Sequence, residues 1–231
     1  MGRRIPVLLV LVVLGIAVLV WVAVRSDSRP GADEAASPSA GTIAFDQARA
    51  DLSRLPVKAW DRRRDYSRYR FGKAWSDEVN VEFGHNGCNT RDDVLRRDLV
   101  NLVLRSGTCF AQRGTLRDPY SGQVIDFVRG PSTSDAVQID HVVSLSDAWY
   151  KGARNWDDQR RRDFANDPRN LLAVAGNANF DKAFRDAASW LPPNVAFRCE
   201  FVARQVEVKS AYGLWVSGKE KDAMADVLRD C

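Results

Sequence analysis

The chain has 231 residues, 45% of them hydrophobic and 28% charged, an ordinary globular composition that sets aside a disordered or low-complexity protein. Its 34 Lys and Arg against 30 Asp and Glu leave a net charge of +4 and a pI near 9.0. That mild excess of base suits a polyanionic partner without demanding one, so charge alone assigns no function.

Behind Met1-Gly-Arg-Arg, the run Ile5 to Val24 carries no charged side chain. About 20 residues make roughly 30 Å of helix, enough to span a hydrocarbon core and long for a cleaved signal. Residues 1–25 are therefore expected to be a transmembrane anchor or signal sequence, with Arg3 and Arg4 on the cytoplasmic side and the rest of the chain outside. Residues 26–41, rich in Ser, Ala, Pro and Gly, read as a flexible linker. Residues 42–231 form the remaining domain. Its four cysteines, Cys88, Cys109, Cys199 and Cys231, point to two disulfides in an extracytoplasmic domain. The neighbouring pairing, Cys88 with Cys109 and Cys199 with Cys231, is the expectation among the connectivities that four cysteines leave open. No Cys-x-x-Cys favours a zinc site instead.

Thr42 to Leu55 has helical character and Pro56 ends it. Ala59 to Tyr69 is dense in Arg and aromatics, including Trp60, Tyr66 and Arg68. It reads either as a solvated helix face or as side chains that stack on bases and pair with phosphates. Asn89 caps an expected helix through Val103. From Thr115 the pattern turns to strands and turns, with Asp118-Pro119-Tyr120-Ser121-Gly122 as a turn, Val124 to Val128 alternating, and Ala136 to Val143 β-rich. Trp156 to Asn166 reads as helix, Leu171 to Val174 as a short strand, and Asn177 to Trp190 as helix. Phe201 to Tyr212 and Lys219 to Leu228 are two closing helices. The order predicts an α+β fold.

The chain holds two histidines. His85 lies in a Gly-rich turn and reads as a surface residue. His141 follows Asp140 in the apolar run Val137-Gln138-Ile139-Asp140-His141-Val142-Val143. Neighbours on a strand point to opposite faces, so Asp140 and His141 share one site only if the strand bends or ends there. Taken alone, the pair is as readily structural as catalytic.

Downstream, Asn166-Asp167-Pro168-Arg169-Asn170-Leu171-Leu172 leads to Gly176-Asn177-Ala178-Asn179-Phe180-Asp181-Lys182. This ordered series resembles the HNH, or ββα-metal, endonucleases. Asp140-His141-Val142-Val143 is similar to their Asp-His-Ile-Val strand, Asn170 to their middle Asn, and Asn179 to their metal-binding third position, with Lys182 three residues on. Cys88-Asn89-Thr90-Arg91-Asp92, the Asp118-Pro119-Tyr120 turn, Trp149, Phe164-Ala165-Asn166-Asp167 and Trp190-Leu191-Pro192-Pro193 extend the resemblance. They point to a secreted branch related to the C-terminal domain of GmrSD restriction enzymes, and the likeness spans roughly Leu55 to Cys231. Relatives commonly carry Lys-Gly/Ser-Asp where this chain has Lys182-Ala183-Phe184, and the interval from His141 to Asn170 is long for an HNH unit.

The resemblance implies a small ββα-metal core surrounded by helices, and a metal-dependent hydrolysis of phosphodiester bonds, in DNA first of all. His141 is the implied general base, since imidazole titrates near pH 6.5. Asp140 and Asn179 are the implied oxygen ligands of one Mg²⁺ or Mn²⁺, with Asn177 competing for the second place. Asn170 braces the loop that aims His141, and Lys182, Arg154 and Arg169 are candidates for phosphate contact. A catalytically inactive HNH-like scaffold that binds nucleic acid, or a cell-envelope module, is the alternative. The envelope reading leaves the Asp140-His141…Asn170…Asn179 series unexplained.

Overall fold

The computed structural model of the protein describes residues 40–61 and 63–231. The expected anchor and nearly all of the linker lie outside these residues; among those described, no helix is long and apolar enough to cross a membrane. Seven helices and five strands follow in order: α1 (Ala40–Arg54), α2 (Thr90–Asp98), β1 (Leu99–Leu104), β2 (Ala111–Arg117), β3 (Val124–Val128), β4 (Val137–His141), α3 (Leu145–Tyr150), α4 (Asp158–Asn166), β5 (Leu171–Ala175), α5 (Gly176–Lys182), α6 (Arg198–Tyr212) and α7 (Gly218–Arg229). The α+β expectation holds in this mixture of helices and small sheets.

β1, β2 and β3 form one antiparallel sheet, and β4 pairs antiparallel with β5 in a second. In the second sheet Val137 faces Ala175, Asp140 faces Leu172 and His141 faces Leu171. With α5 following directly on β5, this is a ββα unit whose two strands are joined through α3 and α4. β5 is a continuous apolar run, Leu-Leu-Ala-Val-Ala, buried at every position, as expected for a strand covered on both faces. Leu171 and Ala173 pack into a core with Val94, Leu95, Leu116, Phe127, Val137 and Ile139. Leu172 and Val174 pack into another with Tyr120, Trp190, Phe201, Val206 and Leu228. The outer edge of β5 is managed by α2, since Asp98 Oδ2 accepts from Ala173 N (2.8 Å) and Arg97 donates to the Leu171 carbonyl (2.7 Å).

Two expected helices are shorter than the sequence suggests. Asn89 does cap α2, its Oδ1 accepting from Asp92 N at 3.0 Å, but the helix ends at Asp98. Leu99 to Leu104 is instead strand β1, where Leu and Val side chains gain a partner in β2 that a helix would not give them. The expected helix from Asn177 to Trp190 stops at Lys182, because Ala183 takes φ +51°, ψ −121°. In place of the expected helix face, the described residues between 59 and 71 hold a 3-10 turn, Arg68–Phe71. α3 is an element the sequence reading did not anticipate.

The cysteines pair as expected, Cys88 with Cys109 and Cys199 with Cys231. The second bridge ties the start of α6 to the last residue of the chain, and α7 opens on a Ser217/Glu220 capping box. Behind α3, five buried charged side chains form one network. Lys151 Nζ meets Asp147 (2.5 Å), Asp186 (2.8 Å) and Glu220 (2.7 Å), while Lys209 Nζ meets Asp147 (2.8 Å) and Glu220 (3.0 Å). It locks α3, α6 and α7 to the segment that follows α5.

Candidate active site

Among the described residues, β4 has a strand partner on one side only. Along its other edge runs a cavity of about 710 Å³, lined by four consecutive β4 residues, Gln138 to His141, and by Asn179 from α5. Alternating side chains can all reach one space only at an open edge or a strand end, and β4 supplies both by ending at His141. This removes the geometric objection to Asp140 and His141 working together. The opposite wall comes from far earlier in the chain, with Tyr66, Arg68, Trp75 and Arg91, and Phe184 stands at the α5 side.

His141 is 6% exposed. Its Nε2 lies 2.9 Å from the Ala165 carbonyl oxygen. A carbonyl only accepts, so Nε2 carries the proton and neutral His141 keeps its lone pair on Nδ1. The ring stacks on Trp75, with centroids 5.9 Å apart and planes 14° from parallel. Burial, aided by the nearby Arg68 and Lys182 cations, pushes the imidazole down to about 3. It is therefore neutral across the neutral range, and less basic than the free side chain expected from sequence. Trp75 itself has φ +56°, costly for a bulky aromatic. The first turn of α2 holds that segment in place, Thr90 Oγ1 donating to the Ser76 carbonyl at 2.9 Å.

Asp140 is 5% exposed. Its Oδ1 accepts from Lys182 Nζ (3.0 Å) and its Oδ2 from the Tyr120 hydroxyl (2.5 Å). Burial pushes the carboxyl above the usual range, and Lys182 and Tyr120 oppose that push. Tyr120, fully buried beside the carboxylate, is held well above an ordinary phenol and so stays a donor. The turn that carries it is fastened by Asp118, whose Oδ1 accepts from Ala175 N at 3.0 Å, at the junction of β5 and α5.

Asn170 is fully buried and sits against the residue two past His141, its Oδ1 accepting from Val143 N (2.8 Å) and its Nδ2 donating to Val143 O (3.2 Å). It does not line the cavity; it fixes the chain leaving β4. Asn179 Nδ2 donates to Gln138 Oε1 at 2.8 Å, so its amide oxygen is the polar atom left for the cavity. Asn177 is exposed, outside the cavity lining, and folds its Oδ1 back onto Ala178 N. The α5 start is close-packed: a Cβ on Gly176 would stand 2.0 Å from the Asp135 carbonyl oxygen.

The three expected phosphate contacts fall elsewhere. Lys182 is 0% exposed and spent on Asp140 and the His141 carbonyl. Arg154 pairs with Asp61 and Asp65, and Arg169 clamps Asp167 with Nε at 3.0 Å. None of the three lines the cavity. The cations that do are Arg68 and Arg91, against the single carboxylate of Asp140, which Lys182 already neutralises. Arg68 lay within the Arg-aromatic stretch; Trp75 and Tyr120 carried no signal of their own chemistry.

Among the described residues no group of three His, Cys, Asp or Glu gathers to hold a metal. The donor set at hand is one carboxylate and one amide oxygen. A carboxylate has about four lone-pair directions, of which Lys182 and Tyr120 take two. Hard oxygen donors of this kind, with water completing the shell, fit Mg²⁺ or Mn²⁺.

Residues 89–227 match the family described as GmrSD restriction endonucleases, C-terminal domain. The chain is also 37% identical over 218 residues to an uncharacterized secreted protein of Arthroderma benhamiae, across 94% of this chain and 98% of that protein. No solved structure matches it. The match covers the ββα unit, the cavity floor and α6, and the chain belongs to the family of the C-terminal domain of GmrSD restriction endonucleases.

Proposed function

We propose that the protein is an extracytoplasmic endonuclease of the HNH type, hydrolysing phosphodiester bonds of nucleic acid, DNA in the first instance, with a divalent metal. The observation that carries this reading is the His141 imidazole, fixed as its Nε2–H tautomer on Ala165 and sharing one cavity with Asp140 and Asn179. Nδ1 of His141 takes a proton from water, whose oxygen then forms the new bond to phosphorus as the bond to the 3′ oxygen breaks, and the departing 3′ oxygen takes its proton from solvent. Asn170 holds the chain beyond His141 so that the ring keeps its aim, and Trp75 covers the ring's flat face and excludes bulk water from it.

Asp140 and Asn179 would hold one Mg²⁺ or Mn²⁺, with Lys182 and Tyr120 fixing the carboxylate's rotation. When bound, the metal supplies stabilisation of the charge that builds on the phosphate and the departing oxygen. Arg68 and Arg91 offer the positive wall that a phosphodiester needs. The two disulfides, and the name of the fungal relative, support a location outside the reducing cytosol. There the apolar run Ile5 to Val24 acts as anchor or leader.

A catalytically inactive binding scaffold is the second reading, favoured by the Lys182–Asp140 ion pair at the place of the metal. Incubating the full chain with plasmid, single-stranded DNA and RNA, each with Mg²⁺ or Mn²⁺, decides between them. The nuclease reading expects EDTA-sensitive nicking that His141→Ala abolishes. Cleavage that survives His141→Ala sinks the mechanism, and binding without any cleavage supports the scaffold.

A further inference from the structure

The atoms assigned to the chemistry are recessed. His141 and Asp140 are 6% and 5% exposed at the floor of the cavity, and its 710 Å³ falls in the range that encloses a small molecule. A duplex carries its phosphates on the outside of a stiff rod with the bases paired behind them. Bringing one such phosphate to a recessed floor requires deforming the rod, at several kcal/mol for a sharp bend. A lone strand bends freely and turns its bases outward, where they stack on aromatic rings.

The walls have the chemistry for that second case. Arg68 and Arg91 are the cations that line the cavity, Arg91 also donating to the Val137 carbonyl at 3.2 Å, and Tyr66 and Trp75 stand with them. Phe184 lines the cavity and is 59% exposed, and Phe180, beside Asn179, is 86% exposed. Leaving large rings bare costs contact with the core. The positive φ at Ala183 turns the chain out of α5 immediately before Phe184.

We propose that the cavity takes its polynucleotide as an unpaired strand, with Arg68 and Arg91 on the phosphates and the Phe184 ring stacked on a base. The inference rests on the nuclease reading for its choice of ligand. It makes Phe184 a specificity-determining residue of this chain, and base-paired nucleic acid a poor substrate until it opens.

The test measures binding apart from cleavage. The full chain carrying His141→Ala is titrated, in EDTA, into one labelled oligonucleotide as single-stranded DNA, as the same strand in RNA, and as the blunt DNA duplex. Fluorescence anisotropy gives each Kd. At least one single strand should bind ten or more times tighter than the duplex. Adding Phe184→Ala should weaken single-strand binding by about tenfold, the size expected for one lost stacking contact, and Phe184→Trp should restore it. Arg68→Ala and Arg91→Ala should each reduce the slope of log K against log salt by about one. A preference for either sugar keeps the proposal. A duplex bound as tightly as both strands overturns it, as does a Phe184→Ala variant that binds like its parent. Cleavage by the unsubstituted chain, assayed in parallel, separates the two ideas. Strand preference without cleavage fails the nuclease reading alone, and cleavage with duplex preference fails this one alone.

Discussion

The Lys182 ammonium lies 3.0 Å from Asp140 Oδ1 and 2.9 Å from the carbonyl oxygen of His141, with no exposure to solvent. One cation thus binds both residues of the Asp-His pair, the side chain of the first and the backbone of the second. Its place is beneath the cavity floor, facing the carboxylate.

Lys182→Met should therefore act on stability before it acts on substrate affinity. It leaves the Asp140 carboxyl buried with Tyr120 as its remaining side-chain partner, and breaking a buried pair from one side costs about 3–5 kcal/mol. Urea unfolding measures the loss, and joint replacement with Asp140→Asn should recover much of it. A cost below about 1 kcal/mol would mean the pair is not coupled.

Asn170→Ala removes both bonds to Val143 and strands a buried N–H and C=O, at about 1–3 kcal/mol for the unsatisfied groups. Because Val143 is two residues past His141, the larger effect should fall on kcat, by tenfold or more, with KM little changed. Asn170→Asp restores the acceptor but not the donor and should lie between. An unchanged kcat in Asn170→Ala would show that the exit from β4 does not aim the ring.

The pH dependence of stability carries a His141 signature. Its folded pKa is lowered from 6.5 to about 3 by burial, with Arg68 and Lys182 adding to it. Between those values the unfolded chain binds a proton that the folded protein refuses. The contribution is thus full above about pH 6.5 and is lost as pH falls from there toward 3. Unfolding free energies at pH 7 and pH 4.5 should differ more for the parent than for His141→Gln. Equal differences in the two proteins would rule out a depressed histidine.

Ala183 occupies φ +51°, ψ −121°, the conformation of the first central residue in a type II′ turn, which glycine adopts without strain. Ala183→Gly should raise stability by about 1 kcal/mol, the relief of strain exceeding the added freedom of the unfolded chain. Thermal unfolding reads this directly, and a lowered Tm would mean that the methyl group earns its place by packing.

Much of this site is legible in the sequence, and the part that is not has a common cause. Asp140-His141, Asn170 and Asn179 sit on or beside the ββα unit itself, where residue order and spacing fix their places, and the cysteines pair with their neighbours. Arg68, Trp75 and Arg91 reach the cavity only because residues 66–98 fold across the open edge of β4, a tertiary event with no local periodicity. Lys182 misleads for a related reason. A lysine reads as surface charge until the carboxylate that buries it is known, and Asp140 is 42 positions away. The Asn177 to Trp190 helix fails on a backbone angle at Ala183, which no alanine in an apolar pattern advertises.

The buried network of Lys151, Lys209, Asp147, Asp186 and Glu220 has a consequence for how this chain can diverge. Replacing either lysine alone leaves three buried carboxylates around one ammonium, at about 3–5 kcal/mol out of a typical 5–15, whereas losing one carboxylate leaves two charges of each sign. Exchanging all five for apolar side chains of matching volume would be nearly neutral, yet a route that gives up a lysine first crosses a poorly folded intermediate. The two lysines should thus be inherited together across relatives, either both kept or both exchanged. A lone difference at one of them would mark a protein in which α3, α6 and α7 are packed another way.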